Sequence, residues 1–134
     1  CLRAAALVYG VWSADCDSPS HRAFGDGRYG LTSATMRWFW DRYAPEPTKR
    51  TDPRVAPLHA ELAGLPPLYL SAAELDCLRD GSEALAQRLV DAGVDLDWRL
   101  WRGVIHGSFV MSRALPAARG FVAEVADFLC RRLT

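Results

Sequence analysis

Apolar residues along the chain fall into two kinds of pattern that alternate: short unbroken runs, and residues spaced at helical intervals. Ala4-Ala5-Ala6-Leu7-Val8-Tyr9 is the first run, ended by Gly10. A continuous apolar stretch of strand length suits a strand buried on both faces, as in a parallel sheet. Leu68-Tyr69-Leu70-Ser71-Ala72-Ala73 is a second such run. Leu96, Trp98 and Leu100 alternate with Asp97, Arg99 and Trp101, which predicts a third strand with one polar face.

Helical spacing appears between and after these runs. Thr32 to Tyr43 reads as a helix: Thr32 or Ser33 caps it, Met36, Phe39, Trp40 and Tyr43 recur on one face, and Pro45 and Pro47 stop it. Asp80 to Ala92 reads as a second helix, with Asp80 and Glu83 in a capping-box pattern, Leu85 and Leu89 on one face, and Gly93 at its end. Ala117 to Leu133 reads as a third, with Pro116 near its start and Phe121, Val125, Phe128 and Leu129 along one face. Asp15 to Gly30, rich in Asp, Ser, Gly and Pro, reads as loop, and Asp52 to Leu65 as irregular or briefly helical before Pro66-Pro67.

The order is strand, helical insertion, strand, helix, strand, helix. That alternation predicts an α/β fold in three layers, parallel strands joined by crossover helices. Three strands make an incomplete sheet, and the first is expected to have further neighbours. The chain opens on Cys1 and enters a strand almost at once, which reads as a cut through a larger protein; residues 1–134 are expected to form a single partial domain.

Bulk composition narrows the function. Half of the 134 residues are apolar, the usual globular share, and 16 basic residues balance 16 acidic ones. A neutral chain without a basic cluster carries no electrostatic footprint for nucleic acid. No apolar run approaches the roughly 20 residues of a membrane span. Cys1, Cys16, Cys77 and Cys130 match no zinc or redox spacing, so four free thiols in a reducing, cytoplasmic setting are expected.

In open parallel sheets, functional groups gather where strands end. Ala73-Glu74-Leu75-Asp76-Cys77-Leu78-Arg79-Asp80 follows the second strand and Gly103-Val104-Ile105-His106-Gly107 the third. Asp76 and His106 stand 30 positions apart, about one strand–helix–strand unit, so they should emerge on the same rim. A carboxylate beside an imidazole fixes its tautomer and stabilises its protonated form. Glu74 competes as the acid, but its position before the strand end should turn it away from His106. Asp80 is read as a cap, and His21 and His59 as loop residues. Ser108 lacks the turn that activates a serine nucleophile. Trp38, Phe39 and Trp40 form an aromatic cluster, read either as a wall of an acyl pocket or as plain core.

Asp-Pro-Arg-Val-Ala-Pro-Leu (52–58), Leu-Pro-Pro (65–67), Ala-Glu-Leu-Asp-Cys-Leu-Arg-Asp (73–80), Ala-Gly-Val (92–94) and Ile-His-Gly (105–107), in this order and spacing, resemble the C-terminal half of the bacterial hormone-sensitive-lipase-like esterases, α/β-hydrolases. The resemblance implies a serine carboxylesterase acting on small to medium acyl esters. Asp76 would be the triad acid and His106 the base, with Trp38 and Phe39 near the substrate and no metal or organic cofactor. It also implies a homodimer through the last strand and last helix, with Trp98 or Trp101 on an exposed edge. Cys77 stands where the family usually has Pro, and Ser108 where it often has Phe. The nucleophile is missing: triad order in this fold is Ser, Asp, His, and neither a Gly-x-Ser-x-Gly elbow nor a His-Gly-Gly-Gly loop occurs in these residues. Both are expected upstream, and the chain alone should be inactive. The alternatives are a ligand-binding homologue that has lost catalysis, or another α/β-hydrolase such as a peptidase.

Overall fold

The computed structural model describes residues 2–133. Three strands, β1 (Ala5–Val8), β2 (Leu68–Leu75) and β3 (Leu96–Ile105), form one parallel sheet in the order β1-β2-β3. β1 pairs with β2 from Ala5 opposite Leu68 to Val8 opposite Ser71, and β2 with β3 from Leu68 opposite Leu96 to Ala73 opposite Trp101. Every residue of β2 from Leu68 to Ala73 is buried, as its unbroken apolar run requires of a central parallel strand.

Period-two alternation assigns the two faces. Leu68 and Leu70 point to one side, where Leu85, Ala86 and Leu89 of α3 (Arg79–Asp91) cover them together with Leu62 and Val94. Tyr69 and Ala73 point to the other, where Phe121 and Phe128 of α4 (Pro116–Leu133) pack with Val125 and Leu129. Helices on opposite faces complete the three layers. Burying a side chain as fully as Leu70, which has no exposed surface, contributes about 2 kcal/mol. Trp98 packs into the α3 layer, and Trp101 stacks on Phe121 at 5.2 Å between ring centroids. Neither tryptophan stands free on the sheet edge, because each continues one of the two core layers.

Two further helices, α1 (Pro19–Phe24) and α2 (Ser33–Tyr43), lie between β1 and β2. Thr32 caps α2, its Oγ1 accepting from the Thr35 backbone N–H. Within Asp15 to Gly30 the structure departs from the loop expectation, since α1 forms there. Ser18 caps it and Pro19 opens it, but its buried Ser20 holds it in place: the Ser20 hydroxyl donates to the Cys77 carbonyl at 2.7 Å, and the Ser20 N–H donates to Asp80 Oδ2 at 2.7 Å. His21 is therefore a buried helix residue rather than a loop residue, with Nδ1 2.8 Å from Ser33 Oγ. His59 ends a short 3-10 turn at the surface. Asp80 is not the cap of α3: the helix begins at Arg79 after Leu78, which makes no side-chain cap, and the Asp80 carboxylate serves Ser20 and Arg79 instead. Cys16, Cys77 and Cys130 form no disulfide, and the expectation for Cys1 lies outside the described residues. No helix among them is long and apolar enough to cross a membrane.

Candidate active site

β2 and β3 run the same way, so the loops at their C-terminal ends leave the sheet on one rim. Asp76 follows β2 directly and His106 follows β3 directly. The Asp76 carboxylate is almost fully buried, at 2 % exposure. Its Oδ1 accepts from the Leu78 backbone N–H at 3.0 Å, an Asx turn that fixes the carboxylate plane. Its Oδ2 lies 2.8 Å from His106 Nδ1. An ionised carboxylate only accepts, so the imidazole donates from Nδ1, and Nε2 is left with its lone pair. His106 keeps about a third of its side chain exposed, at 32 %. The carboxylate is thus withdrawn from water while the imidazole faces outward.

Local packing holds both loops. Cys77 and Leu78 are buried in a cluster with Met36, Trp40, Ala44, Ala56 and Cys16, which pins the Asp76 loop against α2. Burial, aided by the neighbouring Asp76 charge, pushes the Cys77 thiol up to about 12. Beyond His106, Gly107 takes a left-handed conformation (φ 76°) that turns the chain into a 3-10 segment, Ser108–Met111. Ser108 is buried and its Oγ lies 3.2 Å from the Tyr9 hydroxyl. The Tyr9 ring lies tilted beside the His106 ring, 5.4 Å between centroids. Tyr9 itself has a positive φ of 49°, a conformation that costs a non-glycine residue of order 1 kcal/mol or more. Burial raises the Tyr9 hydroxyl above its ordinary range. Neither Tyr9 nor the buried state of Ser108 was singled out from sequence; only the fold brings the end of β1 to the His106 loop.

A cavity of about 450 Å³ opens beside His106. Met36, Phe39, Trp40 and Tyr43 of α2 form one wall, and Val55, Pro57 and Leu78 also line the cavity. Positions 36, 39, 40 and 43 share one helical face, and Trp38 does not belong to it. Trp38 is 53 % exposed, packed edge-on against Phe39 and under the Arg42 guanidinium. The structure therefore brings Phe39 to the cavity with His106 and leaves Trp38 outside.

Comparison with known proteins gives the lineage. A family described as alpha/beta hydrolase fold matches residues 1–110. The chain belongs to the α/β-hydrolase family. It is 33 % identical over 132 residues to the ethyl acetate hydrolase of Pseudomonas putida, covering 98 % of this chain and 41 % of that protein. It is 30 % identical over 132 residues to an acetyl-hydrolase of Streptomyces hygroscopicus, covering 96 % and 43 %. A thermostable esterase from Pseudomonas putida superposes on the whole of this chain with a TM-score of 0.95 at 33 % identity, and 43 % of that esterase is covered. An esterase from the fungus Rhizomucor miehei superposes with a TM-score of 0.92 at 30 % identity, over 98 % of this chain and 42 % of its own. The resemblance to the hormone-sensitive-lipase-like esterases thus extends along this entire α/β-hydrolase chain, which spans about two-fifths of the length of the relatives it matches.

Proposed function

We propose that this α/β-hydrolase chain supplies the acid and the base of a serine carboxylesterase, Asp76 and His106, and forms a single partial domain of that enzyme. The reading rests on one observation above all: a buried carboxylate 2.8 Å from Nδ1 of a partly exposed imidazole that borders an apolar cavity. In this mechanism a serine contributed by the remainder of the hydrolase fold attacks the ester carbonyl. His106 Nε2 takes the serine proton, Asp76 stabilises the resulting imidazolium, and His106 then protonates the departing alcohol. Water attacks the acyl-enzyme, giving its proton to the same Nε2, and the serine is restored.

The cavity beside His106 suits the acyl side of the substrate. Its α2 wall is apolar, and its size fits a small to medium acyl group. The names of two relatives, an ethyl acetate hydrolase and an acetyl-hydrolase, support the short end of that range. A ligand-binding role without catalysis is disfavoured by the intact Asp76–His106 pair.

The test uses the full-length protein with p-nitrophenyl acetate and butyrate. Turnover that disappears in His106→Ala supports the reading; turnover indifferent to His106→Ala removes His106 from the chemistry. A full-length sequence without a Gly-x-Ser-x-Gly elbow would overturn it.

A further inference from the structure

The ladder between β2 and β3 breaks its register just before the active-site rim. Ala73 pairs with Trp101, yet Leu75 pairs with Ile105. One residue of β2, Glu74, thus stands against three of β3: Arg102, Gly103 and Val104. Arg102 and Gly103 bulge outward and are exposed, and Val104 returns to the core. Gly103 has a positive φ of 68°, a conformation open to glycine at little cost.

The bulge decides what faces Asp76. Continued regularly, the pairing of Ala73 with Trp101 would set Val104 opposite Asp76. His106 would then lie two residues further on, about 6.6 Å along the strand, beyond hydrogen-bonding reach. The two additional residues of β3 bring His106 back to the level of Asp76. The shift is even, so the side chains keep their faces.

We propose that Glu74 is the positioning residue that fixes this bulge, and through it the meeting of His106 with Asp76. Its carboxylate bridges the irregular step: Oε1 accepts from Arg102 Nη1 at 2.6 Å and Oε2 accepts from the Gly103 backbone N–H at 2.8 Å. Both bonds are charge-assisted. The Gly103 N–H, turned out of the ladder by the left-handed backbone, is the donor that the bulge would otherwise expose. Both partners hold the Glu74 carboxyl below its ordinary range, Arg102 chiefly. The polar partners of Glu74 are Arg102 and Gly103 rather than His106 or Asp76; it acts on where the strand delivers His106. The inference rests on the reading of Asp76 and His106 as an acid–base pair, but its test does not require ester turnover.

The experiment compares Glu74→Ala, Glu74→Gln and Glu74→Asp in the full-length protein. NMR observes the His106 Nδ1 proton, and esterase kinetics are run in parallel. Glu74→Ala should broaden or abolish the hydrogen-bonded Nδ1 proton signal. It should also reduce kcat at least ten-fold with KM changed less than two-fold. Glu74→Gln keeps an acceptor for Gly103 and should retain the Nδ1 signal and kcat within about three-fold of wild type. If Glu74→Ala fails to fold, Glu74→Asp decides, since its shorter side chain cannot reach both donors and should show the same changes. A folded Glu74→Ala, or failing that a folded Glu74→Asp, with a wild-type Nδ1 signal would overturn the proposal. Loss of the Nδ1 signal in a protein that hydrolyses no ester would uphold the positioning role while refuting the esterase reading.

Discussion

Tyr9, at the end of β1, and Ser108, two residues beyond His106, meet through their hydroxyls at 3.2 Å, although 99 positions separate them. The contact ties the histidine loop to the far strand of the sheet and sets the Tyr9 ring against the imidazole. Tyr9→Phe removes only the hydroxyl and should cost about 1 kcal/mol. Tyr9→Ala also removes the ring that contacts His106 and Phe121, and should cost roughly 3–5 kcal/mol. Urea denaturation of both variants checks the difference; equal losses would mean that the ring contributes nothing to the fold.

Asp76→Asn should keep the shape of the site while presenting an amide to His106 Nδ1. An amide can offer its N–H there and favour the wrong tautomer, so kcat should fall roughly 10³- to 10⁴-fold. Steady-state kinetics on p-nitrophenyl acetate measure it. A fall of less than ten-fold would show that Asp76 does not orient His106 during turnover.

Phe39 and Trp38 are adjacent in sequence and differ in surroundings, since only Phe39 lines the cavity. Phe39→Ala should change the ratio of kcat/KM for butyrate over acetate by about ten-fold. Trp38→Ala should leave that ratio within two-fold. A larger effect from Trp38 would place the acyl group on the opposite face of α2.

Thiol chemistry should separate the cysteines. Cys130 is exposed, whereas Cys16 and Cys77 are buried, and burial raises both buried thiols. The folded Cys77 pKa, about 12, lies above that of an unfolded thiol, near 8.5. The stability this shift represents is complete below the ordinary thiol range and is lost as pH rises toward about 12. Iodoacetamide at pH 8 should therefore modify Cys130 and spare Cys16 and Cys77 until the protein is unfolded, as peptide mass spectrometry would read. Rapid labelling of Cys77 in the folded protein would contradict its burial.

What the sequence reveals follows from where the structural forces are local. β2 carries an unbroken apolar run and α3, β3 and α4 carry patterns of period 3.6 or two, all set by their own burial, and the amphipathic spacing of α2 survives intact. α1 was illegible because its six residues are held by Ser20 reaching Cys77 and Asp80, 57 and 60 positions away. The Asp80–Glu83 pattern imitates a cap, but the Asp80 carboxylate is drawn to the distant Ser20 N–H and to Arg79. β3 runs on to Ile105, past the apparent stop at Arg102-Gly103, because Glu74 on the neighbouring strand takes up the freed N–H of Gly103. The placement of Asp76 and His106 on one rim was legible, since parallel strands and their spacing require it. The exclusion of Trp38 from the cavity was not, since adjacent aromatic residues look alike until the helix is oriented.

The common direction of β2 and β3 divides the molecule into two ends with unequal freedom to change. The turns that feed these strands, such as the exposed Ala63-Gly64 corner before β2, lie at the end remote from His106. A peptide tag spliced there would reach solvent without disturbing the histidine, whereas the same graft at Gly107 would sever the loop from Tyr9. The end that carries His106 is thus the one that tolerates an insertion least.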